Sequence, residues 1–339
     1  MTGSSLAEIG DSSMTLFASR ATALLAAAVL SFTAVAASAA EPPVLKVGAL
    51  AGGTVSWELH VIKEKGLDVA NGFTLETLDF AGNPATQVAL QGGEVDAIVT
   101  DVIWAALQEA SGFDVTLVPY STAVGGLMVK NDSPAKVLAD LKGQKIAVAG
   151  GPIDKSWLIL RGLGLKQGID LATETEQVFA APPLVMQAAL SGEVQGAVNF
   201  WHFMAKMKAQ GMREMVSVED AAVELGLDPT TPLLAYAVSE KAVADRPDAV
   251  SALAKASRAA KEMMASDDAL WEELRPMMNA TSDGEFVALR DGWRAGIPPA
   301  GPVDPAAAQT LFATLAELGG DELTGGLTAL PEGLFQTGE

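Results

Sequence analysis

The sequence of 339 residues contains no cysteine. Disulfide bonds, thiolate metal ligands, a cysteine nucleophile and a lipid-bearing cysteine are therefore all excluded. Histidine is nearly as scarce, because His60 and His202 are the only two and lie in unrelated contexts. No GxSxG or HExxH motif is present, and no histidine belongs to a recognisable serine and acid set. We expect a protein that is not an enzyme and that carries no catalytic residues, metal or cofactor.

Positive charge and long apolar runs are also in short supply. Lysine and arginine together number 22 against 42 aspartate and glutamate residues, which gives a net charge of −20. So acidic a chain is a poor partner for nucleic acid. The one long apolar run, Ala21 to Ala37, lies near the N-terminus, and no second run approaches 18 residues.

That apolar run has the features of a secretory signal peptide. Arg20 precedes it, and the small residues Ser38, Ala39 and Ala40 follow it. We expect residues 1–40 to be removed by cleavage near Ala39 or Ala40, and the remaining chain to reside in the periplasm. The sequence leaves the start of translation open between Met1 and Met14.

From Val44 onward, short apolar runs alternate with helical patterns, which indicates βαβ units and a mainly parallel sheet. The segments Gln87 to Val99 (QVALQGGEVDAIV) and Met186 to Val198 (MQAALSGEVQGAV) are similar to each other, and each is predicted to form a helix, a glycine turn and a buried strand. This similarity suggests two lobes built on similar plans. The extended segments Gly125 to Lys130 and Pro232 to Ser239 are predicted to cross between the lobes.

The predicted domains are therefore a signal peptide, a discontinuous first lobe and a continuous second lobe. The first lobe comprises residues 41–124 and 233–339, and the second comprises residues 125–232. The fold class is α/β, with two lobes joined by two crossing strands. After Ser239 the pattern is helical.

Several segments resemble the solute-binding proteins of ABC importers for nitrate, sulfonates, taurine and thiamine-pyrimidine compounds, the NMT1-like family. They are EKGLDV (64–69), FAGNPATQVALQGGEVDAIVTD (80–101) and GGLMVKNDSPAKVLADLKGQKIAVAGG (125–151). The resemblance implies a type II periplasmic binding fold, a hinge, and a closed liganded form that a permease recognises. One branch of the same superfamily consists of pyrimidine-synthesising enzymes that use a cysteine-rich motif. This chain has no cysteine and therefore lacks that motif.

In open α/β sheets, ligands bind beyond the carboxyl ends of the strands, where helix N-termini offer free N–H groups. Trp57, Trp104, Trp157 and Trp201 all lie in or near such loops. Indole rings there would stack on an aromatic ligand or attract a cation. The alternative is that each tryptophan packs its helix onto the sheet; we favour the cleft for Trp57 and Trp201 only.

Acidic residues recur at the same places. Glu58 and Asp154 are expected to cap or complement helix N-termini, whereas Asp101 follows a buried strand and is expected to contact an amine on the ligand. The turn Gly150 to Ser156 can present backbone N–H groups to a ligand oxygen, and Lys155 is expected either to meet an anionic group or to be solvated. His202 is favoured as a cleft residue over a metal ligand. The predicted ligand-binding residues are Ser56, Trp57, Asn83, Asp101, Gly151, Asp154, Lys155, Asn199, Trp201 and His202.

The sequence thus favours the extracytoplasmic solute-binding component of an ABC importer, expected to be a monomer. Its ligand would be a small organic compound of aromatic, heterocyclic, amine or sulfonate type, and its partner an ABC permease with its cytoplasmic ATPase. The alternative is a binding protein that reports ligand to a membrane partner without transport.

Overall fold

The computed structural model describes Met1 and residues 42–335. The predicted signal peptide lies outside this range, apart from Met1, and so do the last four residues. Within the described range no helix is both long and apolar enough to cross a membrane. The described residues form two five-stranded sheets covered by helices.

The first sheet has the strand order β2-β1-β3-β10-β4. Strands β1, β2 and β3 are parallel, and β10 is inserted antiparallel between β3 and β4. These strands are β1 (Val44–Leu50), β2 (Thr74–Phe80), β3 (Ala97–Asp101), β4 (Val115–Ser121) and β10 (Leu234–Ser239).

The second sheet has the order β7-β6-β8-β5-β9. Strands β6, β7 and β8 are parallel, and β5 is antiparallel to both of its neighbours. The strands are β5 (Gly125–Lys130), β6 (Lys145–Ala149), β7 (Glu176–Ala180), β8 (Gly196–Phe200) and β9 (Met212–Ser217).

The two sheets therefore share one plan, as the similar segments predicted. In the spatial order of each sheet, the first three strands are parallel to one another. The fourth strand, β10 in the first sheet and β5 in the second, is antiparallel to them. The two extended segments predicted at Gly125 to Lys130 and Pro232 to Ser239 form β5 and β10, which occupy equivalent positions in the two sheets. Their role as links between two lobes stays a prediction. Strand β9 was not predicted, because Arg213 and Glu214 interrupt its apolar pattern and it lies at a sheet edge.

Helices cover both faces of each sheet, which explains why the central strands are continuous apolar runs. In chain order the helices are α1 (Val55–Glu64), α2 (Leu67–Ala70), α3 (Asn83–Gln91), α4 (Val102–Ala110), α5 (Lys155–Lys166), α6 (Leu171–Glu174), α7 (Pro182–Ser191), α8 (Trp201–Ala209), α9 (Val218–Leu225), α10 (Glu240–Asp245), α11 (Ala249–Ser266), α12 (Asp268–Met278), α13 (Asp283–Ala295) and α14 (Pro305–Thr324).

The C-terminal helices connect the two sheets. Helix α13 packs against α8, which follows a strand of the second sheet. Helix α14 packs on α5 and α4, and its buried Phe312 and Leu315 belong to the same apolar core as Leu158 of α5. The segment after α14 returns to the first sheet, where the Leu117 amide donates a hydrogen bond to the Leu334 carbonyl at 2.8 Å.

Candidate ligand-binding site

A cavity of about 340 Å³ lies between the two sheets. Its walls are the loop after β1, the ends of β3 and β4, the first turn of α5 and the first turn of α8. The volume falls within the range of about 300–1,000 Å³ that is typical of small-molecule sites. Six of the ten predicted residues line it, namely Asn83, Asp101, Asp154, Lys155, Trp201 and His202.

An ion pair crosses this cavity. Lys155 Nζ at the start of α5 lies 3.1 Å from Asp101 Oδ1 at the end of β3. The two side chains are 24% and 25% exposed, respectively. Asp101 Oδ1 also accepts a hydrogen bond from the Trp104 amide at 3.0 Å. The carboxylate therefore caps α4 as well, a role that was not predicted for it. Lys155 is paired and not free in solvent.

Asp154 caps α5, as expected. Its Oδ1 accepts hydrogen bonds from the amides of Ser156 at 3.0 Å and Trp157 at 3.2 Å. Burial raises the pKa of this carboxyl group, against the lowering effect of those amides. Gly150 makes the turn possible, because its φ is +85° and a Cβ there would lie 2.5 Å from Asp154 Oδ2.

This cap corrects one expectation about the glycine turn. The backbone N–H groups of the turn Gly150 to Ser156 were expected to face a ligand oxygen, but the Ser156 amide, like that of Trp157, donates to the Asp154 side chain. Gly151 does not line the cavity. From this turn, Asp154, Lys155 and Ser156 line the cavity.

The first turn of α8 contributes two rings to the cavity. The Trp201 indole meets the Trp57 indole edge to face, with ring centroids 6.3 Å apart. His202 is largely buried, and burial, with a smaller contribution from Lys206, lowers its pKa to about 4. Its imidazole is therefore neutral near pH 7 and can act as a hydrogen-bond donor or acceptor.

Three further predicted residues do not reach the cavity. Trp57 is only 2% exposed and packs against Trp201 and Trp271 in the core of the first sheet, which places it behind the cavity wall. Asn199 is fully buried, where its Nδ2 donates to the Pro182 carbonyl at 3.0 Å and its Oδ1 accepts from the Phe200 amide. The Ser56 hydroxyl donates to the Leu50 carbonyl at 3.4 Å.

Glu58 does not cap α1, contrary to expectation. It is buried and accepts hydrogen bonds from Lys261 Nζ at 2.7 Å, Ser257 Oγ at 2.6 Å and the Tyr236 hydroxyl at 3.0 Å. Burial lowers the pKa of Lys261, and the Glu58 carboxylate opposes this effect. This network ties α1 to α11 and β10.

Tyr120, at the end of β4, was not predicted as a site residue but lines the cavity. Its hydroxyl is buried and makes no hydrogen bond to any residue within the described part of the chain, although Thr54 and Trp293 are near it. Burial raises the pKa of this phenol. The apolar run from Val115 to Ser121 is typical of a strand, so the position of Tyr120 near its carboxyl end could have identified it.

Comparisons with known proteins agree with this architecture. An Escherichia coli (strain K12) protein, provisionally named an aliphatic sulfonates-binding protein, is 28% identical over 200 residues, or 56% of this chain. The match spans about 60% of the length of that relative.

Solved structures with the same fold include the periplasmic aliphatic sulphonate binding protein SsuA from Escherichia coli. It has a TM-score of 0.66 and 19% identity, with 87% of this chain and 96% of that chain covered. The alkanesulfonate-binding protein SsuA from Xanthomonas axonopodis pv. citri, bound to MOPS, also gives a TM-score of 0.66, at 18% identity over 88% of this chain and all of that one. The predicted periplasmic binding fold is thus confirmed.

The family of this chain is shown by a match to a family-wide sequence pattern. The pattern described as "NMT1/THI5 like" matches residues 59–269, which is more than half of the chain and includes most of the cavity wall. The chain therefore belongs to the NMT1/THI5-like family.

Proposed function

We propose that this protein is the extracytoplasmic solute-binding component of an ABC importer. It holds a small organic ligand in the cavity between the sheets and delivers it to a permease with its cytoplasmic ATPase. The relatives are binding proteins, which supports binding over catalysis. The observation that carries the proposal is the Asp101–Lys155 pair, because it joins groups from both sides of one cavity.

The proposed moving bodies are the two predicted lobes, residues 41–124 with 233–339 and residues 125–232. Ligand contacts made from both lobes would stabilise the closed arrangement, whereas contacts to one lobe alone could not drive closure. Asp101 and Tyr120 would contact the ligand from the first lobe. Lys155, Trp201 and His202 would contact it from the second.

The charges of the cavity favour a ligand that carries an amine. The ionisable groups that line it, besides His202 and the phenol of Tyr120, are Asp101, Asp154 and Lys155, and no arginine is among the lining residues of the described chain. A simple inorganic anion would meet one cation and two carboxyl groups. A ligand with both an amino and an acidic group can instead pair with Asp101 and Lys155 together, while Trp201 and Tyr120 contact an apolar or aromatic body.

A matched set of compounds tests this proposal. Phenylalanine carries both charges, 2-phenylethylamine carries only the amine and 3-phenylpropionate only the acid; taurine and ethanesulfonate form a second comparison. We expect the compounds with both charges to raise the melting temperature most, since a ligand at about 100 times its Kd adds roughly 2.7 kcal/mol of stability. Stabilisation by the acid-only compounds alone would contradict the amine assignment.

Transport is tested separately from binding. Uptake of a radiolabelled hit should fall in cells that lack the protein and recover when it is restored. If uptake is unchanged while a ligand-dependent cellular response is lost, the sensing alternative replaces transport.

A further inference from the structure

A second cavity of about 370 Å³ borders the ligand cavity, with which it shares the lining residues Ala123, Val124, Trp201 and Leu233. It is enclosed by α8, β9 and α9 on one side and by α13 and Leu311 of α14 on the other. Thr122 to Gly125 and Leu233, at the two crossings, form the wall nearest to the ligand site. Its size is also within the range of about 300–1,000 Å³ for small-molecule sites.

The floor of this cavity is apolar. The buried side chains of Met204, Val218, Leu233 and Leu311 line it, together with one side of the Trp201 indole. Removing apolar ligand surface from water here would contribute about 25 cal/mol per Å² buried. The floor therefore suits a compact apolar or aromatic group.

The mouth of the cavity is acidic. Four carboxylates and one lysine line it, and two of these carboxylates are already matched by cations: Glu214 by Lys208 at 2.5 Å, and Asp291 by Arg290 at 2.8 Å. The remaining two, Glu219 and Asp228, are exposed and form no ion pair with any residue between positions 42 and 335. Asp228 Oδ1 accepts hydrogen bonds from the amide and the hydroxyl of Thr230, at 2.8 and 2.7 Å. The unmatched charge at the mouth is therefore negative.

We propose that this second cavity binds a small organic amine, with its apolar part on the Trp201 and Met204 floor and its ammonium group at Glu219 and Asp228. An ammonium close to the indole would also gain from attraction to the ring, about 0.5–2 kcal/mol. An anion of the same shape would meet uncompensated carboxylates and is excluded. This site adjoins the ligand site of the proposed function across Trp201, but its carboxylates, Glu219 and Asp228, do not line the first cavity.

The Met204 methyl group reports on the second cavity, because Met204 lines that cavity and does not line the first. The protein with ¹³C-labelled methionine methyl groups is titrated with 2-phenylethylamine and, separately, with 3-phenylpropionate, and the Met204 signal is assigned with Met204→Leu. We expect a saturable shift with the amine and none with the acid.

Two matched variants on α13 locate the binding. Ala288→Phe fills the cavity, whereas Val287→Phe adds the same ring at a neighbouring position that is 40% exposed and outside the cavity. We expect Ala288→Phe to weaken the amine titration at least tenfold and Val287→Phe to leave it unchanged. Glu219→Gln removes one exposed charge without adding volume, and it should weaken amine binding about threefold. This variant tests the site even if Ala288→Phe does not fold.

The ligand site provides the remaining control. Asp101→Asn should leave the Met204 titration unchanged. If Asp101→Asn abolishes the shift while Glu219→Gln does not, or if 3-phenylpropionate shifts Met204 as strongly as the amine, the second site is refuted, whatever the outcome at the first cavity.

Discussion

Lys155 and Asp101 face each other across the ligand cavity, with Lys155 Nζ 3.1 Å from Asp101 Oδ1. Asp101 ends a strand of the first sheet, and Lys155 begins a helix that packs on the second. Each charge satisfies the other in the absence of ligand. A ligand that carries both charges would exchange this pair for two new ones and leave neither group unpaired.

The first prediction concerns Asp101→Asn. Asparagine can still accept the hydrogen bond from the Trp104 amide, so the cap of α4 is retained. Because the pair is partly exposed, we expect stability to fall by no more than about 1 kcal/mol. Amine binding in the cavity should weaken tenfold or more, since hydrogen bonds to charged groups contribute about 1.5–3 kcal/mol. Calorimetric titration of phenylalanine and 2-phenylethylamine measures this.

Lys155→Gln is the matched variant. It should weaken phenylalanine and 3-phenylpropionate but leave 2-phenylethylamine nearly unchanged. If the two variants affect all three compounds equally, the assignment of amine to Asp101 and acid to Lys155 is wrong.

The second prediction concerns the buried pair of Glu58 and Lys261, whose atoms Oε2 and Nζ are 2.7 Å apart. Glu58→Gln leaves a buried ammonium without its counter-ion, which costs about 3–5 kcal/mol. Lys261→Met should cost a similar amount, because Glu58 then keeps only the hydroxyl donors of Ser257 and Tyr236. Urea unfolding measures both.

The double variant Glu58→Gln with Lys261→Met separates pairing from burial. It should be less destabilised than the sum of the single changes, because no isolated charge remains. Strict additivity would show that the two groups do not act as a pair.

The fold was largely predictable because it depends on local patterns. Strands such as Val44–Leu50 and Lys145–Ala149 are short apolar runs between turns, and this local pattern is the one from which the α/β fold was predicted. The similar segments around Gln87 and Met186 correctly indicated two sheets on one plan. Edge strand β9 was missed because its exposed positions carry charges.

The site was less predictable, because orientation within a helix turn decides which side chain reaches the cavity. Trp57 and Trp201 both lie near strand ends, yet only Trp201 lines the cavity and Trp57 packs behind it. Glu58 looked like a helix-start carboxylate, and its true partner Lys261 is 203 positions away. Such distant partners leave no local signal in the sequence.

The third prediction concerns Gly292 of α13. A Cβ at this position would lie 2.9 Å from Trp201 Cε3, so the absence of a side chain lets α13 approach α8. We expect Gly292→Ala to cost about 1–3 kcal/mol through overpacking and to displace the indole, weakening ligand binding. Gly284→Ala on the same helix is the control, because its Cβ would meet no atom closer than 3.9 Å. Equal stability of the two variants would argue against this contact.

The fourth prediction concerns pH. Burial lowers the pKa of His202 from its ordinary value of 6.5 to about 4, so the folded state binds fewer protons than the unfolded state between these pH values. Its contribution to stability is complete above about pH 6.5 and is lost as the pH falls toward 4; it amounts to at most about 3 kcal/mol.

A comparison with His202→Gln isolates this contribution. The free energy of unfolding should fall less between pH 7 and pH 4.5 in the variant than in the wild type. Asp154 acts in the opposite direction, because its pKa is raised by burial and its stabilising effect is lost as the pH rises. Both proteins contain Asp154, so it cancels in the difference; parallel pH profiles would contradict the His202 assignment.

The fifth prediction concerns the Tyr120 hydroxyl, which is buried beside the ligand cavity without a hydrogen bond to any residue that the structure describes. An unpaired buried hydroxyl costs about 1–3 kcal/mol, so Tyr120→Phe should leave the ligand-free protein equally stable or make it more stable. If the ligand supplies the missing partner, the same change should weaken binding, and stability and affinity would move in opposite directions. Urea unfolding without ligand and calorimetry with the best compound of the matched set measure the two effects. Loss of stability in the ligand-free variant would show that the hydroxyl already has a partner within the protein, whereas unchanged affinity would show that the ligand does not reach it.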